Sequence, residues 1–473
     1  MAVNRASGIV ILAVVAGGLL VPYLAAGGEK TSRPGFEVAA IGSKLLPAFP
    51  GAEGFGAHAL GGRGGKVLRV TTLADYDPLW DEPIDGSFRA AVEAKGPRIV
   101  VFGISGTIAL KAPIWAFNDN LTIAGQTAPG DGVCVRNHPV VFRNEDVIIR
   151  YLRFRLGDAA GEDGDALRTA SAHNLIIDHC SISWGTDACL RIGRSSHNVT
   201  VQWCLISEAL NKLGSGYGAV LSDYGLSLHH NLFAHCRTRN PRAINGYLDF
   251  RNNVIYDWDG QAGMSVDEEH LWINYVGNYV EPGPSTQHQP NTAFWVGSDV
   301  KFFARDNCLM TRAGTVTDNK SLFSLADRAE FCSDPLAIEA CDPKRRLDSE
   351  DRGKGLPVAT EPPQRAFERV LAGAGASWPR RDAVDARVVL SVRKSTGRQI
   401  DSQSQVGGWP DLKSAPALVD SDGDGIPDKW EKAHGLNPHD ASDGCQPAAD
   451  GSGYSNIEVY LNGLVTHEGS AHP

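Results

Sequence analysis

One short phrase keeps returning through the middle of this chain: a triplet with apolar residues at its first and third places, recurring every 22 to 29 residues between positions 118 and 310. The copies are Leu121-Thr122-Ile123, Val147-Ile148-Ile149, Leu175-Ile176-Ile177, Val199-Thr200-Val201, Leu226-Ser227-Leu228, Leu248-Asp249-Phe250, Leu271-Trp272-Ile273 and Val300-Lys301-Phe302. Alternation with period two marks each copy as a strand with one buried face. Five residues after the first place of four consecutive copies stand Cys180, Cys204, Asn231 and Asn253, and Asn278 follows Ile273 by the same step. A parallel β-helix explains this pattern. Each coil rises about 4.8 Å, so one residue type per coil stacks into an interior ladder. Stacked asparagines satisfy each other's amides. Cys180, Cys189, Cys204, Cys236 and Cys308 read as small buried hydrophobes, and no Cys-x-x-Cys pair occurs to suggest a metal. A propeller or sandwich would need regularly placed Asn-Gly or Asp-Gly hairpins, which are missing.

The fold class expected is therefore all-β, a solenoid over residues 45 to 412. The 52 glycines and 26 prolines among 473 residues suit many tight corners and disfavour a helical bundle. Residues 47 to 75 are Gly-rich and end in a strand. Residues 86 to 97 read as a short amphipathic helix with Ser87 as its N-cap, placed to plug the open end of the solenoid. From Asp382 to Arg393 the pattern predicts a second helix over the far end or a flank. Residues 8 to 26, an apolar run after Arg5 ending in small residues, read as a secretory signal over 1 to 27, with an uncleaved anchor as the alternative. The location expected is secreted, cell-surface or periplasmic. A formal net charge of −10 argues against nucleic acid and anionic membrane as partners. A monomer is expected.

Asp163 and Asp165 sit two apart in Gly-Glu-Asp-Gly-Asp, and Asp187 follows one coil later. Three hard oxygen donors at adjacent corners suit Ca²⁺ rather than a transition metal. Lys212, Arg237, Arg239 and Arg242 come on the following coils. Acid beside base describes a cleft for a metal-bridged polyanion. No Gly-x-Ser-x-Gly elbow or Walker loop supports a triad hydrolase or a nucleotide site.

Several phrases, AEGFGAHALGGRGGKV, GSFRAAVEAKGPRIVVFGISGTI, LTIAGQTAPGDG, DGDAL, IIDHCSISWGTD and HHNLFAHCRTRNPR, together resemble the pectate lyases of polysaccharide lyase family 1 over residues 47 to 330, extending to 412. The resemblance implies a right-handed parallel β-helix and Ca²⁺-assisted β-elimination of polygalacturonate to 4,5-unsaturated oligogalacturonides, with an arginine as general base. It implies that Asp163, Asp165 and Asp187 are Ca²⁺ ligands, that Lys212 pairs with the substrate carboxylate, and that Arg239 is the base. Two departures stand out: a further acidic ligand falls on Arg191, and a second arginine falls on Ile244, where Arg242 or Arg237 is the expected substitute in catalysis and substrate binding. Asp178, His179, His229 and His230 are expected to be structural hydrogen bonders.

The tail, residues 416 to 473, carries a separate signal. Asp420, Asp422, Asp424, Gly425, Asp428 and Glu431 match a 12-residue EF-hand-like loop at positions 1, 3, 5, 6, 9 and 12, with the Ile426 carbonyl at position 7. A partner phrase from Asp450 to Glu458 keeps part of the pattern. This tail resembles dockerin-like and thrombospondin-type calcium repeats, and a calcium-stapled structural role is expected. The competing readings are a lyase for another uronan or for pectin, and an inactive β-helical carbohydrate-binding or surface protein.

Overall fold

The computed structural model describes residues 45–193, 195–212, 214–266, 270–311, 313–338 and 355–465, so the apolar run read as a secretory signal lies outside the described residues. Among the described residues no helix is long and apolar enough to cross a membrane. The strands stack coil upon coil into parallel ladders, and the fold is a parallel β-solenoid. All eight triplets fall in one ladder, the first sheet. Its register runs Leu121, Val147, Leu175, Val199, Leu226, Leu248, Ile273 and Phe302. In the last two copies the strand starts two residues early, since Leu271 pairs with Gly246 and Val300 with Leu271. That shift explains why Asn278 counts from Ile273. It also adds Asn307, which stands five residues after Phe302.

At each corner after the first sheet, one residue takes a left-handed conformation and the next turns inward. Tyr151, His179, Trp203, His230 and Asn252 are the left-handed residues. The inward set forms the expected ladder: the Asn231 and Asn253 backbone amides donate to Asn253 Oδ1 (3.0 Å) and Asn278 Oδ1 (2.9 Å), and Asn278 donates to Asn307 Oδ1 (2.8 Å). Cys180 and Cys204 continue it, both fully buried, and the described cysteines are free thiols. Outside, the rings of Tyr151, His179, Trp203 and His230 stack in series at 4.8, 6.0 and 4.4 Å. His179 and Arg150 hold Asp178 (both 2.8 Å), and His229 meets His230 (3.0 Å). These groups belong to the corner, as expected.

Ser87 caps the helix Phe88–Glu93 through the Ala90 amide (3.2 Å), and Phe88, Ala91 and Val92 join the solenoid core. Two of the three outer faces are covered. Residues 48 to 62 run across the first sheet, where the amides of Gly56 and Gly62 donate to the outward hydroxyls of Thr200 and Thr122 (both 2.9 Å). A Cβ on Gly62 or Gly65 would collide with the backbone of residues 97 and 98, which accounts for the glycines there. The helices Pro363–Gly373 and Ala383–Arg393 pack on Leu205, Leu232, Val254 and Tyr256 of the third sheet, so the second helix covers a flank rather than an end. Among the described residues the second sheet keeps a partly exposed outer face. Its outward row runs Trp115, Val141, Arg168, Arg191, Val220, Arg242, Met264 and Trp295.

Candidate active site

Strand alternation alone sends Arg168, Arg191 and Arg242 outward, because Leu167, Leu190 and Ala243 beside them are in the core. The open face is therefore a basic row, with the exposed Trp115 and its stacked neighbour Phe117 (6.2 Å) toward one end and Trp295 toward the other. The Arg242 Nε is buried with no hydrogen-bond partner. Such a row suits an extended anionic chain.

Arg239 stands where the loop from Cys236 meets this row. Its backbone has φ 62°, its carbonyl accepts from the Ala219 amide (2.8 Å), and its guanidinium carbon lies 3.4 Å from the centre of the Tyr217 ring. Burial lowers its pKa below the ordinary guanidinium value, and Arg242 and Arg191 push the same way against Tyr217 and Asp187. A buried guanidine beside like charge gives up a proton more readily than a solvated one.

Arg237 points elsewhere. Its Nη1 donates to the Gly214 carbonyl, so it braces the loop that carries the exposed Lys212. Ile244 lies on the same strand as Arg242, which holds the row position beside Val220.

The three carboxylates expected at a cleft Ca²⁺ do not converge among the described residues. Asp163 is exposed. Asp165 and Asp187 are spanned by Arg191, which donates from Nε to Asp165 Oδ2 (2.6 Å) and from Nη2 to Asp165 Oδ1 (3.0 Å) and to Asp187 Oδ2. Burial works against the Arg191 charge, but the two carboxylates outweigh it and raise its pKa above the ordinary guanidinium value. Burial also raises the Asp165 carboxyl, opposed by Arg191. Asp165 and Asp187 are committed to a cation already present, and the donor set does not fit a Ca²⁺ held by Asp163, Asp165 and Asp187.

The tail is different. Asp420, Asp422 and Asp424 bring carboxylate oxygens together, and so do Asp424, Glu431 and Asp443. Glu431 is fully buried with neither oxygen partnered, and one oxygen each of Asp422, Asp424 and Asp443 is likewise buried and unpaired. Burial among like charges pushes Asp424 and Glu431 up to about 7. Orphaned buried carboxylates of this kind fit a hard cation. The Ile426 amide donates to Asp424 Oδ1 (2.8 Å), and Gly425 takes φ 90° against Val67 and Ile457, where a Cβ would crowd both. Asp428 accepts from Ser421 at the start of the helix Asp428–His434 and is not among the clustered carboxylates. The partner phrase is a helix cap, with Glu458 bound to Ser455 and to Arg63 (2.8 Å).

Sequence reasoning missed Tyr217, Arg168 and Asp443. Alternation in Leu167-Arg168-Thr169 was a usable signal for Arg168. Asp443 stands 12 residues after Glu431, outside any single loop pattern, and only folding brings it in.

A family model described as Pectate lyase matches residues 112–273. The chain is 36% identical over 436 residues to a probable pectate lyase C of Aspergillus flavus, covering 89% of this chain and 95% of that protein. It is 35% identical over 427 residues to the protein of the same name from Emericella nidulans, with 89% and 93% covered. Among solved structures, the major cedar-pollen allergen jun a 1 aligns with a TM-score of 0.49 at 18% identity, covering 68% of this chain and 92% of that one.

Proposed function

Because the chain belongs to the pectate lyase family and is a polysaccharide lyase, we propose that it cleaves polygalacturonate by β-elimination on the open second sheet, with Arg239 as proton acceptor. The observation that carries this reading is Arg239 held on Tyr217 beside the outward arginine row. The C5 proton of a uronate lies alpha to a carboxylate, and it becomes labile only where the developing enolate charge is neutralised. Arg239 takes that proton, the C5–H electrons form the C4–C5 double bond, and the C4–O bond breaks. The leaving oxygen takes a proton from solvent. Arg242 and Lys212 hold carboxylates of the bound chain, and Arg237 supports Lys212 through the Gly214 loop. Trp115 and Trp295 offer stacking faces for sugar rings at the two ends of the row.

Asp420, Asp422, Asp424, Glu431, Asp443 and the Ile426 carbonyl would hold Ca²⁺ in the tail, where it would neutralise the buried carboxylates. The reading includes export of the chain, supported by the apolar run at residues 8 to 26. The test is ultraviolet absorbance of the unsaturated product on polygalacturonate, highly methylated pectin and alginate. Product chiefly from polygalacturonate is expected. Preference for alginate or pectin would move the substrate class, and no product from any would return the chain to a carbohydrate-binding role.

A further inference from the structure

The Arg191 guanidinium sits where the three carboxylates were expected to gather a metal. Three of its five donor hydrogens are spent, on Asp165 twice and on Asp187 once. Among the described residues no protein acceptor is recorded for Nη1, and the side chain is 22% exposed toward the open face. The two N–H groups left on Nη1 diverge in the guanidinium plane, and the bidentate pair behind them fixes that plane, so the group is a rigid cation that offers donors to a carboxylate. Arg168 and Arg242 stand before and after it in the same outward row, with Val220 between Arg191 and Arg242. Arg239 lies within electrostatic reach of Arg191 and Asp187.

We propose that Arg191 takes the place of Ca²⁺ in the cleft: its guanidinium binds the carboxylate of the uronate being cleaved and neutralises the enolate, so that turnover needs no divalent cation there. The inference rests on the lyase reading and specifies its electrostatics. Asp165 and Asp187 position Arg191 instead of binding metal. A fixed organic cation and a dissociable metal differ in one measurable respect, which is whether calcium occupancy and rate are linked.

The experiment uses the full chain and counts tightly bound Ca²⁺ by calorimetry beside the absorbance assay. In an Asp424→Asn/Glu431→Gln background, which removes the tail ligands, no tightly bound Ca²⁺ is expected, and chelator should leave the rate on polygalacturonate within about twofold. Adding Arg191→Asp should gain one bound ion and make turnover depend on it. Arg191→Gln should cost about 10² to 10³ in kcat/KM with the circular dichroism spectrum unchanged. A Ca²⁺ that binds the tail variant and is lost on Asp187→Asn would overturn the proposal, as would a rate abolished by chelator and restored by Ca²⁺ at constant fold. Absence of product from every uronan would overturn the lyase reading and the catalytic role of Arg191 with it. The ion count would still show whether Arg191 excludes metal, so the two failures remain distinct.

Discussion

At the scale of single residues, the cleft is a matter of which cation faces which atom. Arg239→Lys keeps a positive charge but loses the flat surface that lies on Tyr217 at 3.4 Å, so binding should survive while proton transfer fails. A loss of about 10² to 10⁴ in kcat at nearly constant KM is expected in steady-state assays, and near-parent kcat would reassign the base. Lys212→Ala should instead raise KM as well, since in the proposed reading it pairs with a carboxylate present in the ground state. Burial and Arg242 lower the Arg239 pKa from the strongly basic range of a guanidine, and the deprotonated fraction grows with pH. The rate should therefore climb through the alkaline range. A rate that is flat from neutral to alkaline pH at constant folding would count against a guanidine base.

Elements are held by polar groups buried between the strands. Asn253 accepts from the Asn231 amide and Nδ2 and donates to Asn278 Oδ1 and the Leu228 carbonyl, all inside the coil. Asn253→Ala leaves the Asn231 backbone amide without its acceptor and takes one bond each from Asn231 Nδ2, Asn278 Oδ1 and the Leu228 carbonyl, and a loss of about 3 kcal/mol is expected from chemical denaturation, at the cost of roughly one to three per unpaired buried group. Cys204→Ala, which mainly removes a sulfur, should cost less than half as much. On the third sheet, Arg155 is fully buried and paired with Asp385 (2.7 Å) and Asp382. Burial opposes the Asp382 charge, but Arg155 and Arg153 outweigh it and hold that carboxyl well below the usual range. A carboxyl depressed in the folded state stabilises fully above its unfolded pKa of about 3.9 and loses that contribution as pH falls through the folded value. Asp382→Asn should lower Tm most near neutrality, and the gap to the parent should narrow as pH falls below about 4. A gap that widened in acid would contradict the pairing.

Across the whole molecule, the division of faces decides what each part can do. The tail packs Ile426, Ile457, Tyr460 and Leu461 onto Ile99, Val101 and Ala124 of the first sheet, while the arginine row lies on the second. Deleting residues 416 to 473 should leave kcat per folded molecule nearly unchanged but expose that apolar strip, read out as aggregation and a lower Tm. Chelator should lower Tm of the full chain by several degrees and leave Glu431→Gln unmoved, through the linkage of binding to folding. The repeat by itself determined the solenoid and the Asn and Cys ladder, because stacking and alternation are local rules that recur with every coil, and the amphipathic phrase at residues 86 to 97 marked the Ser87 cap. The matched phrases singled out Arg239 as a candidate, and the 12-residue spacing of carboxylates singled out the acidic loop of the tail. Tertiary structure decided the rest. The 22-to-29-residue spacing says nothing of which face stays open, since that depends on distant segments laid over the other two. Arg191 reads in sequence as a missing ligand. Only the stacking of adjacent coils turns it into a cation clamped between Asp165 and Asp187, and only the fold of the tail carries Asp443 to Glu431.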